Sequence, residues 1–337
     1  MGEGDGHLRN HTKIRPEHLH EQYRQLQQLD QAELFANAAA WPRRACPLCG
    51  EYSHRAWIAH DDLAYVRCVT CGLVHLQPCP PPTVLEDYYA NSKSAAFFQE
   101  KILLPTAPVR SAQLFGPRVA AVRECAAHDG ERRLLDVGCS IGTFLELAAA
   151  DGWNCAGVEP NRAARNIACE KKFDVASDIV AAAPRWPAAS FDVITAWEII
   201  AHVHEPRALL QHAVRLLRPG GVVLLTTPNV AALEYRLLHA RHPNFCFPFL
   251  QLFSAVTVTR LLTELGLHIE SCTTPGRMDV ENIAAGWADQ SSNFPPALQE
   301  LLWGTSPRDR AVRAALQSAL AQVGESGHLR VVARKPK

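Results

Sequence analysis

The sequence predicts an α/β chain built on a doubly wound, mostly parallel sheet, with a small N-terminal metal module and helical additions. Three observations predict it. Apolar strand-like runs alternate with helical stretches from Arg133 onward. Alternation of this kind produces parallel strands covered by helices on both faces. The first run, Leu134–Val137, ends in a small-residue turn, Gly138-Cys-Ser-Ile-Gly142, and a second run ends in Glu159. Small residues there let a ligand approach the backbone, the following helix offers free N–H groups, and an acid at the next strand end can accept from both ribose hydroxyls. Upstream, Cys46-Pro-Leu-Cys49-Gly and Cys68-Val-Thr-Cys71-Gly form two knuckles.

Residues Pro16 to Ala40 place Leu19, Tyr23, Leu26 and Leu29 near helical spacing among polar residues, predicting an amphipathic helix over 1–40. The knuckles lie in a module over 41–80, and their spacing fits a four-cysteine zinc site with ligands Cys46, Cys49, Cys68 and Cys71. Four protein ligands leave no open position, so such a zinc is structural. His54, His60 and His75 are then surface or loop histidines. Pro78-Cys-Pro-Pro-Pro82 reads as a stiff connector, neither helix nor central strand. A linker and helical segment occupies 81–128, with helical sequence from Phe97 to Ala127.

The nucleoside-binding domain spans 129–337. Its strands are expected at Leu134–Val137, Asn154–Glu159, Phe173–Ala176, Phe191–Ala196, Val222–Thr226, Leu267–Cys272 and Leu329–Ala333, with a helical insertion at about 275–327. His242-Pro-Asn-Phe-Cys-Phe-Pro-Phe249 and its continuation to Phe253 form an aromatic loop too irregular for a strand. Two roles are open to it: the wall of an apolar pocket, or a patch packed on the zinc module.

Composition narrows the functions. The chain has 337 residues, 47% of them hydrophobic, enough to bury a full core. Its 34 basic residues balance 34 acidic ones, so no global field draws it to nucleic acid or anionic membranes. No apolar run reaches membrane-spanning length and Met1–Gly6 lacks a signal core, pointing to a soluble, cytoplasmic protein. The other seven of its 11 cysteines have no pattern and read as reduced core or pocket-wall thiols.

The glycine turn separates two ligand classes. A dinucleotide fingerprint requires glycine at the positions held by Gly138, Ser140 and Thr143, and two of those three are missing. By contrast, Asp136-Val-Gly-Cys-Ser-Ile-Gly142 resembles the first motif, D-x-G-x-G-x-G, of class I S-adenosylmethionine-dependent methyltransferases, with Ser140 at the middle glycine. Ser190-Phe-Asp-Val-Ile-Thr-Ala-Trp197 is similar to that family's fourth strand, and Arg215–Leu225 to its helix, turn and fifth strand. The resemblance covers roughly 130–275. The upstream knuckles are similar to a branch with an N-terminal zinc module that includes sugar C-methyltransferases.

The resemblance implies a Rossmann-like sheet of seven strands with the last antiparallel, S-adenosylmethionine as methyl donor and a small-molecule acceptor, whose oxygen, nitrogen or carbon attacks the methyl. It places Asp136, Gly138, Cys139, Ser140, Gly142, Thr143 and Phe144 around the methionine part, Glu159 on the ribose, and Pro160 and Asn161 at its flank. Asp178 either reaches the adenine or is a loop acid, and Trp197 either packs on the donor or fills core. His202 matches a family histidine and either deprotonates the acceptor or bonds structural backbone, while His204 is solvated. It also allows the N-terminal helix to cap the site. An RNA methyltransferase gripping its substrate through the zinc module is the alternative function, against which the balanced charge argues.

Overall fold

The computed structural model describes residues 14, 16–60, 62–126, 131–180, 185–276 and 279–337. The expectations on Met1–Gly6, on the helix end at Ala127 and on the 129 boundary lie outside the described residues.

Helix α1 (Glu17–Phe35) forms as its periodicity predicts, with Leu19, Tyr23 and Leu26 half-buried. Leu29 departs from the pattern at 63% exposed; Asp30 turns inward instead and accepts from the Ser94 N–H at 2.8 Å. Strands β1 (His54–His60), β2 (Leu63–Cys68) and β3 (Val74–Leu76) follow as an antiparallel meander. The knuckles precede β1 and join β2 to β3, and Gly50 and Gly72 close them in the left-handed region, at φ +79° and +81°. Helix α2 (Pro82–Asn91) corrects the connector reading: Pro82 starts it, at a position whose missing N–H would have no partner anyway. Helices α3 (Lys93–Phe97), α4 (Leu104–Arg110) and α5 (Gly116–Cys125) run on through wider π turns at Phe98–Leu103 and Ser111–Phe115.

The main sheet then assembles from β4 (Arg133–Val137), α6 (Thr143–Ala150), β5 (Asn154–Val158), α7 (Arg162–Glu170), β6 (Asp174–Ala176), β7 (Phe191–Trp197), α8 (Pro206–Leu216) and β8 (Leu217–Pro228). After it come α9 (Leu233–Leu238), β9 (Gln251–Leu252), α10 (Ala255–Glu264), β10 (His268–Thr273), the inserted helices α11 (Asp279–Gly286), α12 (Pro296–Trp303) and α13 (Pro307–Gln322), and β11 (His328–Arg334). Its seven strands lie in the order β10-β11-β8-β7-β4-β5-β6, and β11 alone runs antiparallel, against both β10 and β8. The winding direction reverses between β4 and β7, which opens a crevice at their carboxyl ends. Strand β7 is buried along its whole length, as a central parallel strand should be.

The second sheet, β1-β2-β3-β9, differs from expectation. The aromatic loop supplies β9, pairing Leu252 with Val74 and Gln251 with His75. Both roles left open for this loop hold. Phe245, Phe247, Leu250 and Leu252 share one buried cluster with Leu63, Tyr65, Val74 and Leu76, while neighbouring residues of the loop wall a cavity. Cys46, Leu48, Cys68 and Leu73 join the core under the main sheet. His75 is fully buried rather than exposed, with its ring nitrogen 3.3 Å from that of His54.

Candidate functional site

The turn after β4 is built by backbone geometry. Gly138, Ser140 and Gly142 all take positive φ, at +81°, +51° and +79°. The Gly138 and Cys139 N–H groups donate to the Val158 carbonyl at 2.8 and 3.1 Å, docking the turn on β5. Gly138 sits at φ +81°, where a side chain is strained, and a Cβ there would also press on the end of the Ile199 side chain at 2.1 Å.

Glu159 at the end of β5 is 8% exposed. Its two carboxylate oxygens accept from the Ser140 N–H at 2.9 Å and the Asn161 N–H at 2.7 Å. Both bonds orient it, while burial pushes its pKa up. Asn161 caps α7 by accepting from Ala164 and holds the Tyr89 carbonyl through its amide at 2.7 Å.

A cavity of about 810 Å³ opens at the carboxyl ends of β4 and β5. Gly138, Glu159, Pro160, Asp178 and His202, all singled out from sequence, line it. The other predicted contacts stand behind this wall. Asp136 is buried under the turn, accepting from the Thr195 hydroxyl at 2.6 Å, and burial pushes its pKa up to about 7. The Cys139 side chain points into the space above Gly157, and Thr143 and Phe144 are buried at the start of α6. Gly142 backs onto Ala168. Trp197 fills core, edge-on to Phe144 at 5.5 Å and under the Arg118 guanidinium at 4.9 Å.

Several lining residues carried no motif. Ile199, Val203 and Leu209 come from the segment around His202, and Asn282 from the insertion. Helix α1 contributes His20, Tyr23, Gln27 and Gln31, so a polar stripe of α1 roofs the cavity. The signal available was that stripe of amides. Pro243, Asn244, Phe245, Cys246, Pro248 and Phe249 form the opposite wall.

His202 packs on Phe249 with ring centroids 4.4 Å apart, and its Nδ1 lies 3.0 Å from the Pro248 carbonyl. A carbonyl only accepts, so Nδ1 carries the proton and Nε2 holds the lone pair. Nε2 has no hydrogen-bond partner among the described residues. Burial pushes the His202 pKa down, keeping the ring neutral and able to take a proton. His204 is only 21% exposed and bonds Glu205 at 3.1 Å, so it is less solvated than expected.

The sulfurs of Cys46, Cys49, Cys68 and Cys71 lie within 4.8 Å of one another, with Cys46–Cys71 and Cys49–Cys68 both at 3.5 Å. Tetrahedral zinc–thiolate bonds of about 2.3 Å place sulfurs ~3.8 Å apart, so the four cysteines fit such an ion.

Residues 111–271 match the family model described as a methyltransferase domain. This chain carries a methyltransferase domain. The match starts inside the helical run before β4 and ends in β10, leaving the knuckles and the insertion outside it. Among curated proteins, this methyltransferase domain is similar to the ubiquinone biosynthesis O-methyltransferase of Thiobacillus denitrificans, 29% identical over 42% of this chain and 67% of that one. The enzyme of the same name from Cronobacter sakazakii is 32% identical over 33% of this chain and 49% of its own length. Among solved structures, an Archaeoglobus fulgidus SAM-dependent methyltransferase overlays with a TM-score of 0.43 at 19% identity, covering 67% of this chain and 96% of that one.

Proposed function

We propose that the protein transfers the methyl group of S-adenosylmethionine to a small-molecule acceptor by direct displacement, as a soluble cytoplasmic enzyme with a structural zinc. One observation carries this reading: a buried carboxylate, Glu159, pre-aimed by two backbone N–H groups, faces the same cavity as a turn whose Gly138 is held in the left-handed region. When bound, the donor supplies an activated methyl on a sulfonium, and the chain's task is to position. Glu159 accepts from the ribose hydroxyls, the Gly138 backbone lets the methionine portion approach, and Asp178 stands on the adenine side. His202 takes the acceptor's proton at Nε2. Helix α1 and the aromatic loop exclude water. Cys46, Cys49, Cys68 and Cys71 hold the zinc in a closed tetrahedron that offers no position for chemistry. The relatives' names make a hydroxyl the first acceptor to test.

Calorimetric titration with S-adenosylhomocysteine tests the central assignment. Glu159→Ala should weaken binding about 10- to 100-fold, as expected for hydrogen bonds to a charged group. Unchanged affinity in a folded variant would overturn it.

A further inference from the structure

Arg44, two residues before the first knuckle cysteine, is half-buried, with its guanidinium turned onto the neighbouring backbone. Its guanidinium donates to the His204 carbonyl at 3.1 Å, the Leu250 carbonyl at 3.1 Å and Gln251 Oε1 at 3.3 Å. The Gln251 amide in turn donates to the carbonyls of Ile200 and Val203, at 2.5 and 2.8 Å. The Leu250 N–H donates to the Ala201 carbonyl at 2.8 Å. Two segments therefore meet at Arg44: the one carrying His202, and the end of the aromatic loop, whose Pro248 carbonyl receives the His202 Nδ1–H. Arg44 is itself pinned by Gln77, which accepts from its N–H at 3.3 Å and donates to its carbonyl at 3.1 Å. From the other side Arg207 of α8 donates to the knuckle carbonyl of Leu48 at 3.0 Å.

We propose that Arg44 is a positioning residue, clamping these two segments so that His202 keeps Nδ1 on the Pro248 carbonyl and Nε2 open to the acceptor. The inference rests on the reading of His202 as proton acceptor. It assigns the zinc module a place in the reaction without any contact to substrate: the folded knuckle holds Arg44, and Arg44 holds the tautomer. A guanidinium suits this task because its fixed fork reaches several carbonyls at once, which a single ammonium or amide cannot. The neutral ring of half-buried His202 is the form in which one tautomer can be selected at all.

The test is ring-nitrogen NMR of the full, zinc-loaded chain labelled with ¹⁵N-histidine, with the His202 signals assigned by their loss in His202→Gln. The native protein should show Nδ1–H alone. Arg44→Gln should show a mixture of tautomers, while zinc stays at one per chain and S-adenosylhomocysteine affinity stays within about twofold. A pure Nδ1–H signature in zinc-loaded Arg44→Gln overturns the clamp. Should that variant fail to fold, Gln251→Leu removes the bonds to Ile200 and Val203 with Arg44 in place, and an unchanged tautomer there overturns it equally. Turnover by His202→Gln reports separately: full activity would remove the catalytic reading of His202 and leave the tautomer result standing.

Discussion

At the scale of single residues, the turn after β4 explains why sequence motifs succeed there. Ser140 occupies the position where related domains carry the middle glycine, and it takes φ +51°, a conformation costing a non-glycine residue about 1 kcal/mol or more. Its N–H is used on Glu159, so the backbone shape, and not the side chain, is what the site requires. Asp136 shows the opposite: a legible motif residue whose side chain faces inward. Burial raises its folded-state pKa from an ordinary 3.8 to about 7, against the favourable pull of the Thr195 hydroxyl and Arg118. A carboxyl whose pKa rises on folding binds its proton more tightly in the native state. Its stabilising contribution is thus complete below about pH 4 and is lost as pH climbs toward 7 and beyond. Asparagine keeps the acceptor for Thr195 and has no proton to lose. Asp136→Asn should therefore gain on the wild type by roughly 3–4 kcal/mol between pH 4 and pH 8 in urea unfolding. Parallel stability curves for the two proteins would refute the raised pKa.

At the scale of elements, the parallel sheet was readable because each strand is an apolar run bounded by turn residues, and β7 is buried throughout. What was not readable is pairing between distant segments. Strand β9 is two residues inside an aromatic loop, with no periodicity of its own, and it exists because β3 offers an edge. The same limit hid Asn282 and which side chains of α1 face the cavity, though the resemblance had allowed that helix as a cap: polar residues facing a cavity look, in sequence, like polar residues facing water. The start of α2 was hidden by its prolines, whose helix-breaking character vanishes at a helix's first position. This shared sheet makes the four-cysteine module a support for the cavity. Tyr65 of β2 donates to the Phe249 carbonyl at 2.8 Å, and its ring lies 5.3 Å from that of Phe245. Cys46→Ser should accordingly do more than release metal. We expect loss of the bound zinc by atomic emission and a drop of several kcal/mol in unfolding free energy, against the ~10 kcal/mol a structural zinc site can contribute. Wild-type protein purified without zinc, or an unmoved denaturation midpoint, would contradict this.

At the scale of the whole molecule, the balanced charge argues for a small acceptor over RNA. A protein that grips a phosphate backbone needs cations free to meet it, and affinity then falls steeply with salt as counterions are released. Here 34 basic residues face 34 acidic ones, and four of the arginines around the knuckles are committed, while Arg43 and Arg55 stay exposed. Arg44 is turned onto carbonyls, Arg207 bonds Leu48 and pairs with Glu264, Arg260 pairs with Glu264 at 2.7 Å, and Arg67 lies over Trp57 at 5.2 Å. The cavity between α1 and the aromatic loop is roofed by amides and walled by aromatic rings, a lining suited to a compact organic molecule and not to a strand. Fluorescence anisotropy with a labelled 20-nucleotide RNA should give a Kd no tighter than about 10⁻⁴ M at physiological salt, the weak end of non-specific binding, with little slope against salt. Binding tighter than about 10⁻⁶ M with a steep salt dependence would recast the zinc module as an RNA grip. The Arg44 clamp would survive that result, because it acts on His202 and not on the acceptor; the small-molecule assignment would not.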